Sequence, residues 1–121
     1  MVLQISTKPG LKFDIPNFEI KAGSKIRLVF NNNDDMMHNV VGVMPGTADE
    51  VADLAIKLGL KGSQMNYVPA SSNVLFNTAL LQPHSSESIY FIAPTKPGEY
   101  TFLCTYPGHG SVMRGVMKVV L

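Results

Sequence analysis

This chain holds one cysteine, no tryptophan and three histidines among its 121 residues. With a single cysteine, no intramolecular disulfide forms, which fits a reducing compartment or a thiol occupied by metal. A structural zinc site wants four cysteine or histidine ligands, and the chain has only four such residues in total. Charge is also scarce: charged residues make up 16%, below the usual quarter, and the net charge is +1. No basic stripe points to nucleic acid, and no block of like charge points to a disordered tail. Although 45% of residues are hydrophobic, no apolar run approaches the length needed to cross a bilayer. The opening "MVLQIS" lacks a charged and then apolar leader, so no secretory signal is read there. These features predict one soluble domain over residues 1–121, long enough to bury a core without staples.

What is present is a rhythm of short alternating segments broken by turn residues, the pattern of an all-β, antiparallel sandwich or barrel. "KIRLVF" (25–30) places Ile26, Leu28 and Phe30 on one face and Lys25 and Arg27 on the other. "ESIYFIA" (87–93) aligns Ile89 and Phe91, and "GEYTFLC" (98–104) aligns Tyr100, Phe102 and Cys104. Further strands are expected at 2–6, 18–21, 38–44 and 114–121, with breakers at Pro9-Gly10, Ala22-Gly23-Ser24, 31–34 and 94–98. One segment departs from the two-residue period. In "TADEVADLAIKLGLKG" (47–62), Thr47 and Glu50 form a capping-box pattern, and Val51, Leu54, Ala55 and Leu58 recur at helical spacing. The reading is one short helix at about 47–60, ended by Gly59 or Gly62, inside a long connection with extended pieces near 73–76 and 78–82.

The chemistry gathers in "CTYPGHGSVM" (104–113), which holds Cys104, His109 and Met113 around a Pro-Gly turn. A lone buried cysteine is more often a small hydrophobe than a ligand. Pro107 and Gly108, however, supply the fixed and the permissive φ of a tight loop, which lets His109 fold back toward the thiol. Thiolate, imidazole and thioether together are soft, which disfavours magnesium and calcium. Two histidines and a cysteine in a plane with a weak axial methionine is the blue-copper set, so a second histidine is needed. His84, in "QPHSS", reads as a solvated turn residue. His38, in "NNNDDMMHNVV", starts an apolar strand beside Asn39, a side chain able to hydrogen-bond across to the cysteine loop. Such a ligand comes from far away in sequence, so the sheet must bring the site together.

These residues carry a resemblance. "CTYPGHGSVM" with "HNVV" resembles the cupredoxins, in their azurin-like and auracyanin-like branch, which shares the four spacers from cysteine to histidine and the three from histidine to methionine. The resemblance covers most of the chain and implies a Greek-key β-sandwich binding one type 1 copper ion. It implies His38, Cys104 and His109 as equatorial ligands and Met113 as the axial one. Asn39, Thr105 and Tyr106 would lie behind them, with Asn39 and the Tyr106 amide near the sulfur. It also implies a periplasmic or otherwise extracytoplasmic setting. Azurins have a glycine before the first histidine, whose carbonyl approaches copper, and an N-terminal disulfide. Here Met37 replaces that glycine, which leaves the carbonyl contact open, and no disulfide is possible.

A fully ligated metal leaves no open position for substrate, so the expectation is a one-electron carrier and not an enzyme. The outer edge of His109 is the expected electron port, ringed by Met36, Met37, Pro107 and Val112, an apolar surface suited to brief docking of a protein redox partner. A monomer is expected. Two other classes remain open: a copper-delivery protein or the copper domain of a larger oxidoreductase, and a cysteine-nucleophile enzyme. The last lacks an orienting acid and a Gly-rich oxyanion loop nearby.

Overall fold

Strict alternation of apolar and polar residues puts one face of each strand into the core, and here it builds two sheets. In the computed structural model, which describes residues 1–121, nine strands and one α-helix form. The strands are β1 (Val2–Lys8), β2 (Lys12–Phe13), β3 (Asn17–Lys21), β4 (Lys25–Asn32), β5 (Val41–Val43), β6 (Val74–Asn77), β7 (Ser85–Ile92), β8 (Gly98–Leu103) and β9 (Arg114–Val120). One sheet has the order β2-β1-β4-β7 and the other β3-β9-β8-β5-β6. The sandwich is therefore the all-β architecture that the alternation predicts.

Strand direction departs from the expectation of a purely antiparallel fold. β1 runs parallel to β4, with Leu3 opposite Leu28, and β3 runs parallel to β9, with Ile20 opposite Val119. The period of side chains is the same in either orientation, so alternation alone does not report direction.

The core lies between the sheets. Ile26, Leu28 and Phe30 of β4 face Ile20, Phe102, Met117 and Val119 of the opposite sheet, all at 2% exposure or less. Each such side chain contributes about 1.5–3 kcal/mol relative to its exposed state. Phe102 packs on Phe13 and Phe18, with ring centroids 5.2 Å apart in both pairs. Its ring also occupies the space above Gly115, where any Cβ would lie 2.1 Å from Cζ. At the far edge Phe76 of β6 and Phe91 of β7 stack at 3.9 Å, joining the sheets.

The helix forms as α1 (Ala48–Lys57), and a 3₁₀ helix over Gly59–Met65 continues the same segment. Val51, Ala48 and Ala52 cover Val41, Val43 and Leu103, so the outer face of the five-stranded sheet is buried there too. The capping box does not form. The Thr47 hydroxyl donates instead to the Met44 carbonyl at 2.7 Å, and Glu50 accepts from Asn73 Nδ2 at 3.2 Å. Both side chains find partners in the adjoining loops, and tertiary contact overrides the local motif. The extended pieces expected near 73–76 and 78–82 are present as β6 and as a short pairing that runs on past it. Thr78 N–H donates to the Val40 carbonyl at 2.9 Å, and Leu81 N–H donates to the His38 carbonyl at 2.8 Å. The strand expected at 38–44 is regular only over β5, and this irregular continuation fixes the backbone of His38.

Candidate metal centre

Two segments 66 residues apart meet at one end of the sandwich. The first is the stretch that follows β4. Buried Asn32 donates through Nδ2 to the carbonyls of Met36, Leu81 and Gln82, which anchors the polar loop and delivers His38 to the interior. The second is the loop between β8 and β9. Cys104 N–H donates to the Met113 carbonyl at 3.1 Å, and Met113 N–H donates to the His109 carbonyl at 2.9 Å. Gly108, at φ +88°, makes the turn between them. Gly110 lies against Ala52 of α1, and Arg114 reaches back to the Gly110 carbonyl at 2.6 Å and to Asp49 at 2.7 Å. The helix thus braces the loop from outside.

Cys104 Sγ is 3.7 Å from Nδ1 of His38 and 3.7 Å from Nδ1 of His109. The ligating atoms of the three residues all lie within 4.8 Å of one another. A small divalent ion takes thiolate at about 2.3 Å and imidazole nitrogen at about 2.0–2.1 Å, so in a trigonal plane sulfur and nitrogen stand about 3.8 Å apart. The observed spacing fits that triangle at both histidines. His38, Cys104 and Met113 are fully buried, and His109 retains 5% exposure. A soft, dry donor set of this composition fits copper.

Burial acts on Cys104 and on His109. Desolvation pushes the Cys104 thiol up to about 11, partly opposed by the amides of Asn39 and Tyr106, which donate toward the sulfur. The metal-free thiol is therefore protonated at neutral pH, and a metal must displace that proton. Burial, followed by the neighbouring His38, lowers His109, which keeps its imidazole neutral and ready to ligate.

Asn39 ties the two segments together. Its Oδ1 accepts from Thr105 N–H at 2.8 Å, and its Nδ2 donates to Thr105 Oγ1 at 2.9 Å and to the Asn66 carbonyl at 2.8 Å. Thr105 Oγ1 in turn donates to the Tyr67 carbonyl at 2.7 Å. Tyr106 packs between Tyr67 and His109, at 5.4 and 5.0 Å between ring centroids. Asn39, Thr105 and Tyr106 are thus all beside the site.

Three participants escaped sequence reasoning. Asn66 and Tyr67 act through backbone carbonyls presented by residues at φ +55° and +53°, which no side-chain pattern announces. Asp34 accepts a 2.7 Å bond from His38 Nε2, and an acid four residues before a histidine was a signal available in "DDMMH". His84 lies apart from the centre, 65% exposed and paired with Asp35 at 3.0 Å, as its turn context predicts. Of the expected ring around His109, Met36 and Val112 are exposed, while Met37 and Pro107 are half-buried.

Comparison with known proteins agrees with this geometry. The model of the copper binding proteins of the plastocyanin/azurin family matches residues 1–120. Auracyanin-A of Chloroflexus aurantiacus is 35% identical, over 98% of this chain and 74% of that protein. Azurin of Bordetella pertussis is 30% identical, over 98% of this chain and 83% of that protein. Among solved structures, a dithionite-reduced auracyanin from Roseiflexus castenholzii superposes with a TM-score of 0.88 at 35% identity, covering 99% of this chain and 97% of that one.

Proposed function

The chain belongs to the plastocyanin/azurin family of copper-binding proteins, and from that premise we propose that it is a one-electron carrier and not an enzyme. In this reading His38, Cys104, His109 and Met113 would hold copper. Copper supplies a one-electron couple in a ligand set that suits both of its oxidation states. The chain's own residues do the rest. Asn39 and Thr105 keep the cysteine loop in register with the histidine segment, so the donor atoms need little rearrangement when the charge changes. The buried set excludes water and leaves no position for a substrate.

The observation that carries this reading is the buried cluster in which the Cys104 sulfur stands 3.7 Å from a nitrogen of each histidine. His109, which alone of the four keeps any exposure, is the proposed exit for the electron. Exposed Met36 and Val112, each next to a ligand segment, supply an apolar docking surface for a protein redox partner. The carrier works as a monomer in the periplasm or another extracytoplasmic compartment, where its one thiol, buried and metal-bound, needs no disulfide partner.

Adding Cu(II) to metal-free protein tests the reading. An intense blue charge-transfer band that is absent in Cys104→Ser and unchanged in His84→Ala is expected. A colourless protein, or loss of colour in the His84 variant, overturns the ligand assignment. Timed exchange with a Cu(I) chelator separates carrier from delivery protein, since a site this buried should release copper slowly. Fast release overturns the carrier assignment in favour of delivery.

A further inference from the structure

The two histidines of the centre differ on their far sides. No protein group bonds the outer nitrogen of His109, and that ring keeps 5% exposure. The outer nitrogen of His38 is closed off completely: Nε2 donates to Asp34 Oδ2 at 2.7 Å, and the ring is fully buried. Asp34 is itself held in place. Its Oδ1 accepts from the Asp35 amide at 2.8 Å, and its own N–H donates to Asn32 Oδ1 at 3.0 Å. Asn32 is the same buried side chain that anchors the loop to Leu81 and Gln82. The carboxylate is thus aimed at His38 by a network that also fixes the loop.

Resting on the copper reading above, we propose that Asp34 is a positioning residue that fixes His38 in the tautomer with a free Nδ1 and sets a low reduction potential. The first half follows from donor arithmetic. A carboxylate accepts only, so the proton of neutral His38 must sit on Nε2, and the Nδ1 lone pair then faces Cys104. The second half follows from charge. A carboxylate one imidazole away from the metal stabilises the more positive oxidised ion more than the reduced one. Asp34 presents both carboxylate oxygens to donors, Oδ1 to the Asp35 amide and Oδ2 to the His38 ring, the setting of a negative charge. The side chain is 23% exposed, so solvent screens part of this effect without removing it. The pair closes the inner histidine to proton exchange with solvent and leaves His109 as the open edge.

Asp34→Asn tests the charge, because its amide oxygen still accepts from Nε2 while the negative charge is gone. The midpoint potential of the copper-loaded protein should rise, with the ratio of Cu(I) to Cu(II) affinity shifting about tenfold, or about 59 mV for one electron. The blue band should persist, and Asp34→Glu should restore part of the shift. An unchanged or lower potential in Asp34→Asn overturns the electrostatic role. Orientation is read on metal-free protein with no copper chemistry involved. Long-range ¹⁵N–¹H spectra of the parent should show His38 protonated on Nε2, and Asp34→Ala should show a mixture of tautomers. A proton on Nδ1 in the parent, or an unaltered spectrum in Asp34→Ala, overturns the positioning role. A parent protein that stays colourless with Cu(II) refutes the copper reading, and the potential-setting role with it, while the tautomer spectra still judge Asp34 on their own.

Discussion

Replacing Asn39 with alanine removes a side chain that bonds the cysteine loop and the end of the 3₁₀ segment from the histidine segment. Three hydrogen bonds of 2.8–2.9 Å disappear. Thr105 Oγ1 keeps its bond to the Tyr67 carbonyl, so it is not orphaned. Thr105 N–H is, because Thr105 is 1% exposed and its amide then has no acceptor within reach. The Asn66 carbonyl is only partly buried, and water can replace its lost donor. One fully stranded donor at about 1–3 kcal/mol and two lost bonds at about 0.5–1.5 kcal/mol each give about 2–6 kcal/mol, with a small void besides. For a domain whose whole stability is about 5–15 kcal/mol, that is a large fraction. Urea denaturation of the metal-free protein measures it directly, and Thr105→Val with the double variant gives the coupling. Because the two residues share their bonds, a coupling of about 1 kcal/mol or more is expected. A loss below 1 kcal/mol for Asn39→Ala, or additive single variants, would refute the claim that this side chain is the clasp.

Metal-free protein should lose stability as pH rises through the alkaline range. Burial raises the Cys104 thiol from 9.0 to about 11, so the unfolded chain gives up its proton first. Stability is whole below pH 9 and falls by about 2–3 kcal/mol as pH reaches 11, at about 1.4 kcal/mol per unit. Denaturation curves at several pH values check this, and Cys104→Ser should lack that portion of the decline. In the core, Gly115→Ala forces a methyl against the fully buried Phe102 ring, which packs on Phe13 and Phe18. It should cost about 1–3 kcal/mol or more by thermal denaturation, and Phe102→Leu in the same chain should recover part of that loss.

How much of this was legible in the sequence depended on whether chemistry or geometry carried the signal. Cys104, His109 and Met113 were readable because a soft donor set narrows the metal, and His38 because the chain has so few histidines to choose from. The inward faces of β4 and β8 were readable because alternation reports them. Leu103 was not readable as core, since it lies on the outward face and is buried only because α1 covers it. The direction of β1 and β3 was hidden because parallel and antiparallel strands share one period. Thr47 and Glu50 misled because their side chains bond Met44 and Asn73. Asn66 and Tyr67 serve through carbonyls at positive φ, a backbone property that side-chain identity does not encode. Asp34 was within reach, and a search for acids one helical turn from a candidate ligand would have found it.

The parallel pairing of β3 with β9 has a consequence for how the chain is made. Residues 17–21 find their partner only in residues 116–120, nearly a hundred positions later in synthesis. A ribosome releases these segments at about 5–20 residues per second, so β3 spends seconds with its ladder groups unpaired. Lys21 and Glu19 alternate with Phe18 and Ile20 along that strand, and their charges discourage a premature edge-to-edge partner. The proposed copper ligands obey the same schedule, since Met113 is made 75 residues after His38. A metal held by all four of these residues would therefore be captured only after both segments are made, near the time that β9 becomes available to pair with β3.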